Sequence, residues 1–122
     1  METSRNNGEK TVADLPIWDE LAALSAAGGN ANLAHELIQA LTRELPQELE
    51  ELRNCFQQSD WPTLRKTAHR VRGAARCCGA SALGTCLELL ERSAETGDRD
   101  HIETELVRVE REAERLARIV GN

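Results

Sequence analysis

Residues 33–56 read LAHELIQALTRELPQELEELRNCF, and their apolar positions recur at intervals of three and four residues. This spacing places the apolar side chains along one stripe of an α-helix. The stripe consists of Leu33, Leu37, Leu41, Leu45, Leu49, Leu52 and Phe56. Pro46 interrupts the pattern without shifting its phase, so we expect one long, kinked helix. Asn30 is placed to cap the start of this helix.

A short helix is predicted upstream of the long one. Asp14 is placed to cap it, Pro16 suits its first turn, and Gly28-Gly29 ends it. Its apolar side consists of Ile17, Leu21 and Leu24. Residues 1–13 show no periodicity, and we expect a flexible lead-in there. The folded domain is then expected to span residues 14–120.

Three further helices are predicted downstream. The third helix begins at Pro62 and runs to about Cys78, Ser81 is placed to cap the fourth, and Gly97-Asp98 separates the fourth from the last. The inward positions of the third helix are Leu64, Ala68, Val71, Ala75 and Cys78. Those of the fourth helix are Leu83, Cys86, Leu87, Leu90 and Ala94. Those of the last helix are Ile102, Leu106, Val109, Ala113, Leu116 and Val120. The last set is a nearly heptad seam.

Four substantial amphipathic helices joined by short turns must bury their stripes against one another. The expected fold class is therefore all-α, an antiparallel up-down-up-down four-helix bundle with a short extra N-terminal helix. The composition agrees, because 40% of the residues are hydrophobic but only 2% are aromatic. The apolar residues are mainly Leu and Ala, which favour helices. A chain of 122 residues is long enough for one such domain.

The charge and hydropathy of the chain exclude several classes of partner. The formal net charge is -6, which argues against nucleic acid or an anionic membrane as the main partner. No apolar run approaches the roughly 18 residues of a membrane span. Residues 1–10 are polar and lack the apolar stretch of a secretory signal.

The third helix contains the residues that carry chemistry, LRKTAHRVRGAARCCG at positions 64–79. With about 100° of rotation per residue, His69 lies about 140° from the core direction, so it cannot be a core histidine. Arg65, Arg72 and Arg76 lie next to His69 on its own side of the helix. Gly73 follows one turn after His69 and lies close to the pole opposite the core.

An exposed imidazole beside arginines and a mid-helix glycine suits phosphoryl transfer. A neutral imidazole nitrogen can attack phosphorus, and guanidinium groups offset the charge on phosphoryl oxygens. A glycine in a helix interior costs up to about 1 kcal/mol relative to alanine, but leaves a flat spot where another backbone can approach. Together these residues describe a nucleophile, a cationic cradle for an anion and room for a partner's active site.

The segment HRVRGAA at 69–75, followed by Gly79, resembles the signature of histidine-containing phosphotransfer (HPt) domains. That signature is His-x-x-Lys-Gly-(Ala/Ser)-(Ala/Ser) with a later Gly. More loosely, the resemblance covers about residues 30–118, including the Leu-Pro-x-x-Leu kink of the second helix. In that family the histidine takes a phosphoryl group from a receiver-domain aspartate and passes it to another. Such domains often form the C-terminal module of hybrid sensor kinases, or stand alone.

The resemblance implies a role for each residue of the motif. His69 is the phospho-acceptor, and Arg72 replaces the usual Lys in stabilising the phosphoryl charge. The expected partner is a receiver domain of a hybrid sensor kinase or a response regulator, with partner contacts at Gly73, Arg65, Arg76, Arg70 and Lys66. No cofactor is expected in this chain and Mg²⁺ is expected on the receiver, because no metal-binding carboxylate cluster or phosphate-cradling glycine loop is apparent. The implied location is cytoplasmic, with tethering to a membrane-bound sensor kinase left open.

Other functions remain to be weighed against phosphotransfer. A non-phosphorylated helical adaptor would use the same face only for docking, and would have no need of a nucleophile at His69. A metal-binding bundle would need Glu-x-x-His pairs on facing helices, which the sequence lacks. A bundle filling 122 residues leaves no nucleotide-binding domain, so we expect a phosphotransfer intermediate without autonomous kinase activity.

The remaining cysteines and histidines favour structural interpretations. Cys55, Cys77, Cys78 and Cys86 show no paired CxxC spacing, and we interpret them as small buried apolar residues in a reducing cytosol. His35 and His101 have no supporting neighbours in the sequence and are interpreted as structural or surface residues.

Overall fold

The computed structural model describes residues 12–121, and this part of the chain forms helices and turns without any strand. A 3₁₀ turn at Val12–Asp14 precedes a short helix, α1, at Glu20–Ala26. The long helices of the described part are α2 Ala31–Gln57, α3 Trp61–Cys77, α4 Ser81–Thr96 and α5 Arg99–Val120. The lead-in predicted for residues 1–13 lies outside the described residues except for its last two, and Val12 packs against the core.

The long helices form an antiparallel up-down-up-down bundle, in which α2 packs on α3, α3 on α4, α4 on α5 and α5 on α2. Side-chain contacts show the opposite directions of α2 and α3, since Arg70 pairs with Glu48 and Thr67 bonds to Glu51. Their inner stripes meet in one core, whose largest fully buried side chains include Ile38, Leu52, Leu64, Leu83, Leu87, Leu90, Ile102, Leu106 and Leu116. The predicted fold class is confirmed.

Helix α2 runs unbroken through Pro46, as predicted, and the Asn30 side chain accepts a hydrogen bond from the Leu33 N–H at 3.0 Å. The predicted stripe is wrong at its start, because Leu33 and Leu37 are exposed and Ile38 is buried in their place. The reason is rotational. Each step of four residues turns about 40° past a full circle, so a run of such steps drifts away from the core.

The predicted start of the first helix is also wrong. Helix α1 begins at Glu20, and its cap is Asp19, whose side chain accepts from the Ala22 N–H at 3.0 Å. Asp14 instead ends the 3₁₀ turn. Leu21 is exposed, because a helix of two turns lying on the end of the bundle buries little beyond Ala23.

The segment before α1 is pinned to the turn between α3 and α4. The Asp19 N–H donates to the Gly79 carbonyl at 2.7 Å, and the Trp18 indole donates to the Cys78 carbonyl at 2.9 Å. Gly79 has a φ of 81°, and a Cβ there would lie 2.5 Å from the Asp19 carbonyl oxygen, so glycine is required.

Ser81 does not cap α4, contrary to the prediction. The cap residue is Ala80, which offers no side-chain hydrogen bond, and Ser81 is the first helical residue. One of the N–H groups of the first turn has a partner outside the helix, because the Ala82 N–H donates to the Pro16 carbonyl at 3.1 Å. The segment before α1 therefore does the work expected of a capping side chain.

The prediction that the cysteines are buried is confirmed for Cys55, Cys78 and Cys86 and is wrong for Cys77. Cys77 is exposed because it lies about 100° around α3 from Cys78. Burial raises the pKa of the Cys86 thiol to about 12, so this thiol stays neutral.

Within residues 12–121, no helix has the length and apolar character to cross a membrane. The same residues contain no group of three or more His, Cys, Asp or Glu side chains arranged to hold a metal ion.

Candidate functional site

His69 lies in the middle of α3 with its side chain turned away from the core. Ala68 and Val71 are buried, whereas 62% of the His69 side chain is exposed. With about 100° between successive residues, a helix that buries positions 68 and 71 turns position 69 toward the surface. His69 is therefore a surface histidine, as its helical phase predicts.

The imidazole contacts a carboxylate from the neighbouring helix α4. His69 Nδ1 lies 2.8 Å from Glu91 Oε2, and only 13% of the Glu91 side chain is exposed. Arg72 Nη2 lies 3.0 Å from the same Nδ1, and Arg72 Nε lies 3.5 Å from Glu91 Oε1. These three side chains form a single group, called here the His69 cluster.

The two contacts at Nδ1 compete for one nitrogen, and they decide the tautomer. A carboxylate oxygen only accepts and a guanidinium only donates, so Nδ1 can donate to Glu91 or accept from Arg72, but not both. The Glu91 contact is the shorter, and its acceptor carries a charge, which strengthens a hydrogen bond. We assign the proton to Nδ1, which leaves the lone pair of the neutral ring on Nε2.

Gly73 leaves an open surface one turn after His69. Its residue is exposed, and a Cβ placed there would meet nothing within 4 Å. The φ of Gly73 is not positive, so the backbone does not require glycine at this position. The missing side chain thus opens space beside His69 without serving the fold.

The predicted arginines differ in how they are held. Arg70 donates to both oxygens of Glu48 at 2.7 and 2.9 Å, and Arg76 donates to Glu88 at 2.6 Å. The Glu48 hydrogen bond raises the pKa of Arg70, and the Arg76 hydrogen bond holds the pKa of Glu88 below its ordinary value. Each of these contacts therefore favours the charged form of the shifted residue, Arg70 or Glu88.

Arg65 and Lys66 are the cations of this face that make no ion pair with another described residue. Both are exposed. Arg65 precedes His69 by one turn, so their side chains share one side of α3. The structure thus brings Arg72 against His69, pairs Arg70 and Arg76 with acids of neighbouring helices, and leaves Arg65 and Lys66 exposed to solvent.

The sequence reasoning missed the acidic half of the site. Glu91 follows His69 by 22 residues, and nothing in its local sequence distinguishes it from the other glutamates of α4. Glu88 and Arg92, which form a further ion pair at 2.7 Å, were missed as well. The one available signal was that Glu88 and Glu91 are three residues apart beside the buried stripe of α4, and so lie on the same side of that helix.

Comparison with known proteins identifies the family. The Hpt domain family model matches residues 36–119. The chain therefore belongs to the Hpt domain family, and its function is histidine phosphotransfer in a phosphorelay. Hpt domains of hybrid kinases in general interact with receiver domains and response regulators. No observation favours the adaptor considered above.

The chain is also similar to two larger sensor proteins and to one solved structure. The chain is 33% identical over 63 residues to the virulence sensor protein BvgS of Bordetella bronchiseptica, and 32% identical over 63 residues to BvgS of Bordetella pertussis. Each match covers 52% of this chain and 5% of the relative's length. In fold, the chain resembles the HPT domain of a sensor hybrid histidine kinase from Shewanella, with a TM-score of 0.75 and 23% identity over 85% of this chain and 90% of that one.

Proposed function

We propose that His69 accepts a phosphoryl group on Nε2 from a receiver-domain aspartate and passes it to a response regulator. The observation that carries the proposal is the exposed imidazole whose Nδ1 lies 2.8 Å from the largely buried carboxylate of Glu91. This contact leaves the nucleophilic lone pair on Nε2.

Three side chains of this chain take part in the chemical step: His69, Glu91 and Arg72. The Nε2 lone pair attacks the phosphorus of the aspartyl phosphate, the P–O bond to the aspartate breaks, and the aspartate leaves as a carboxylate. The new N–P bond places positive charge on the ring, whose Nδ1–H donates to the negative Glu91. The guanidinium of Arg72 offsets the charge on the phosphoryl oxygens. Transfer onward is the reverse reaction on another receiver.

Docking must bring the aspartyl phosphate within bonding distance of Nε2. Gly73 lets the receiver backbone approach, and the exposed cations of α3 meet an acidic receiver surface. We place Mg²⁺ on the receiver, where it would neutralise the phosphoryl oxygens as the group leaves the aspartate. A reaction with cytoplasmic receivers puts this domain in the cytoplasm, alone or tethered to a sensor kinase.

Replacement of His69 by glutamine tests the proposal. The full chain is incubated with isolated receiver domains charged with ³²P-acetyl phosphate, and the label is tested for stability in acid and base. His69→Gln is expected to abolish the label while keeping the fold, because the side chain is on the surface. His101→Gln is the matched control, since His101 is also exposed and also lies beside a carboxylate, 3.4 Å from Glu105.

The two functions give different results in this assay. An acid-labile, base-stable label that is present in wild type and His101→Gln but absent in His69→Gln supports phosphotransfer. Normal labelling of His69→Gln refutes His69 as the acceptor. A well-folded chain that binds a receiver but takes no label would instead be the adaptor.

A further inference from the structure

Two arginines on different helices share one carboxylate beside the His69 cluster. Arg76 of α3 donates to Glu88 Oε1 at 2.6 Å, and Arg92 of α4 donates to Glu88 Oε2 at 2.7 Å. Two positive charges meet one negative charge, so this group, called here the Arg76–Glu88–Arg92 cluster, has a net charge of +1.

The cations of this cluster face outward and its anion is recessed. The side chain of Arg92 is 70% exposed and that of Arg76 is 50% exposed, against 26% for Glu88. A partner approaching this surface would meet guanidinium groups first. The cluster therefore presents a positive surface on a chain whose net charge is -6.

Packing against a buried glycine holds Arg76 in this arrangement. A Cβ on Gly84 of α4 would lie 3.1 Å from Arg76 Cγ and 3.5 Å from its Nε. The absence of a side chain at Gly84 thus lets the Arg76 stem lie across α4 toward Glu88. Since both the stem and the head group are held, less conformational freedom is lost when a partner binds.

The cluster lies within the area that a partner docked on His69 would cover. Glu88 and Glu91 are one turn apart on α4, a separation of about 5–6 Å between Cβ atoms, and Glu91 contacts His69. A standard interface buries about 800 Å² on each partner, which is a patch roughly 30 Å across. A receiver centred on Nε2 would therefore reach α4 as well as α3.

We propose that the Arg76–Glu88–Arg92 cluster is a second docking contact, which binds an acidic surface of the partner receiver and contributes to the choice of receiver. This inference rests on the proposed phosphotransfer at His69. It adds a helix, α4, and a residue, Arg92, that the motif on α3 does not contain. Charges at the edge of an interface act mainly on association rate and specificity.

Charge reversal at Arg92 tests the inference. The matched control is Arg118→Glu, because Arg118 is also an i,i+4 partner of a glutamate, is 72% exposed, and lies on α5, which packs on α2 and α4. Each variant is labelled directly with phosphoramidate and, separately, by a panel of phosphorylated receiver domains at low and high salt. Direct labelling reports His69 alone, and receiver-dependent labelling reports docking as well.

The expected result is a change in the ratio of the two rates. For Arg92→Glu, receiver-dependent transfer relative to phosphoramidate labelling should fall about fivefold or more at low salt, and the deficit should shrink as salt screens the charges. Arg118→Glu should keep the wild-type ratio. Equal ratios for the two variants with every receiver would overturn the inference while leaving phosphotransfer intact. Absence of label in wild type under both treatments would overturn the proposed function itself.

Discussion

Replacement of Glu91 tests the electrostatic logic of the site, because this carboxylate touches both His69 and Arg72. Glu91→Gln keeps the shape and an accepting oxygen but removes the charge. Glu91→Ala removes the acceptor altogether. If the negative charge holds the proton on Nδ1 and stabilises the positive ring in the transition state, both variants must slow phosphoryl acceptance, and the alanine variant more.

The expected magnitudes follow from the contact at 2.8 Å. A hydrogen bond to a charged group contributes about 1.5–3 kcal/mol and a neutral one about 0.5–1.5 kcal/mol. Glu91→Gln therefore loses about 1 kcal/mol, or about fivefold in rate. Glu91→Ala loses about 1.5 kcal/mol, or about tenfold in rate. This is the low end of the range for a hydrogen bond to a charged group, because water can reach the exposed imidazole.

Phosphoramidate labelling of the full chain measures this effect without a receiver, and ¹⁵N NMR of the ring reports the tautomer of His69. Glu95→Gln is the matched control, because Glu95 is exposed and follows Glu91 by about one turn on the same helix. Wild type should show a protonated Nδ1, and Glu95→Gln should label at the wild-type rate. A wild-type labelling rate in Glu91→Ala, with the fold intact by thermal unfolding, would refute the reasoning.

Two further predictions concern α3. Gly73→Ala should stabilise the fold by about 0.5–1 kcal/mol in thermal unfolding, because a Cβ there meets nothing within 4 Å. Gly73→Glu should keep the fold but block receiver-dependent labelling. Undiminished transfer in Gly73→Glu would remove this position from the interface. Arg72→Ala should slow transfer or shorten the lifetime of the phosphohistidine, since Arg72 lies 3.0 Å from His69 Nδ1. Quench-flow transfer rates and the decay of the label measure the two effects. Values equal to wild type for both would contradict a role of Arg72 in the transfer.

Much of the fold could be predicted because helical periodicity is a local property. The stripes predicted for α4 and α5, and the core side of α3, are buried at every named position. The same periodicity placed His69 on the surface. Backbone hydrogen bonds impose about 100° per residue whatever surrounds the helix, so relative directions within one helix can be read from the sequence.

Prediction failed where a neighbouring element decides the outcome. The start of α4 needs no side-chain cap because Ala82 donates to Pro16, and Pro16 is distant in sequence. Leu33 and Leu37 were assigned to the core by spacing alone, although only the position of the other helices decides which side of α2 is covered. Such contacts depend on how the helices pack and not on the pattern within one helix.

The sequence by itself determined that this chain is a helical bundle with an exposed histidine, a glycine and arginines on one face of α3. Only the tertiary structure decided which acids meet them, Glu91 at His69 and Glu88 at Arg76. The physical reason is register. Several glutamates lie along α4, and the one that reaches a given residue of α3 is set by the offset and crossing of two packed helices. The reactive groups of the site could therefore be predicted from α3 alone. The protonation of His69 and the charge balance around it depend on contacts between α3 and α4.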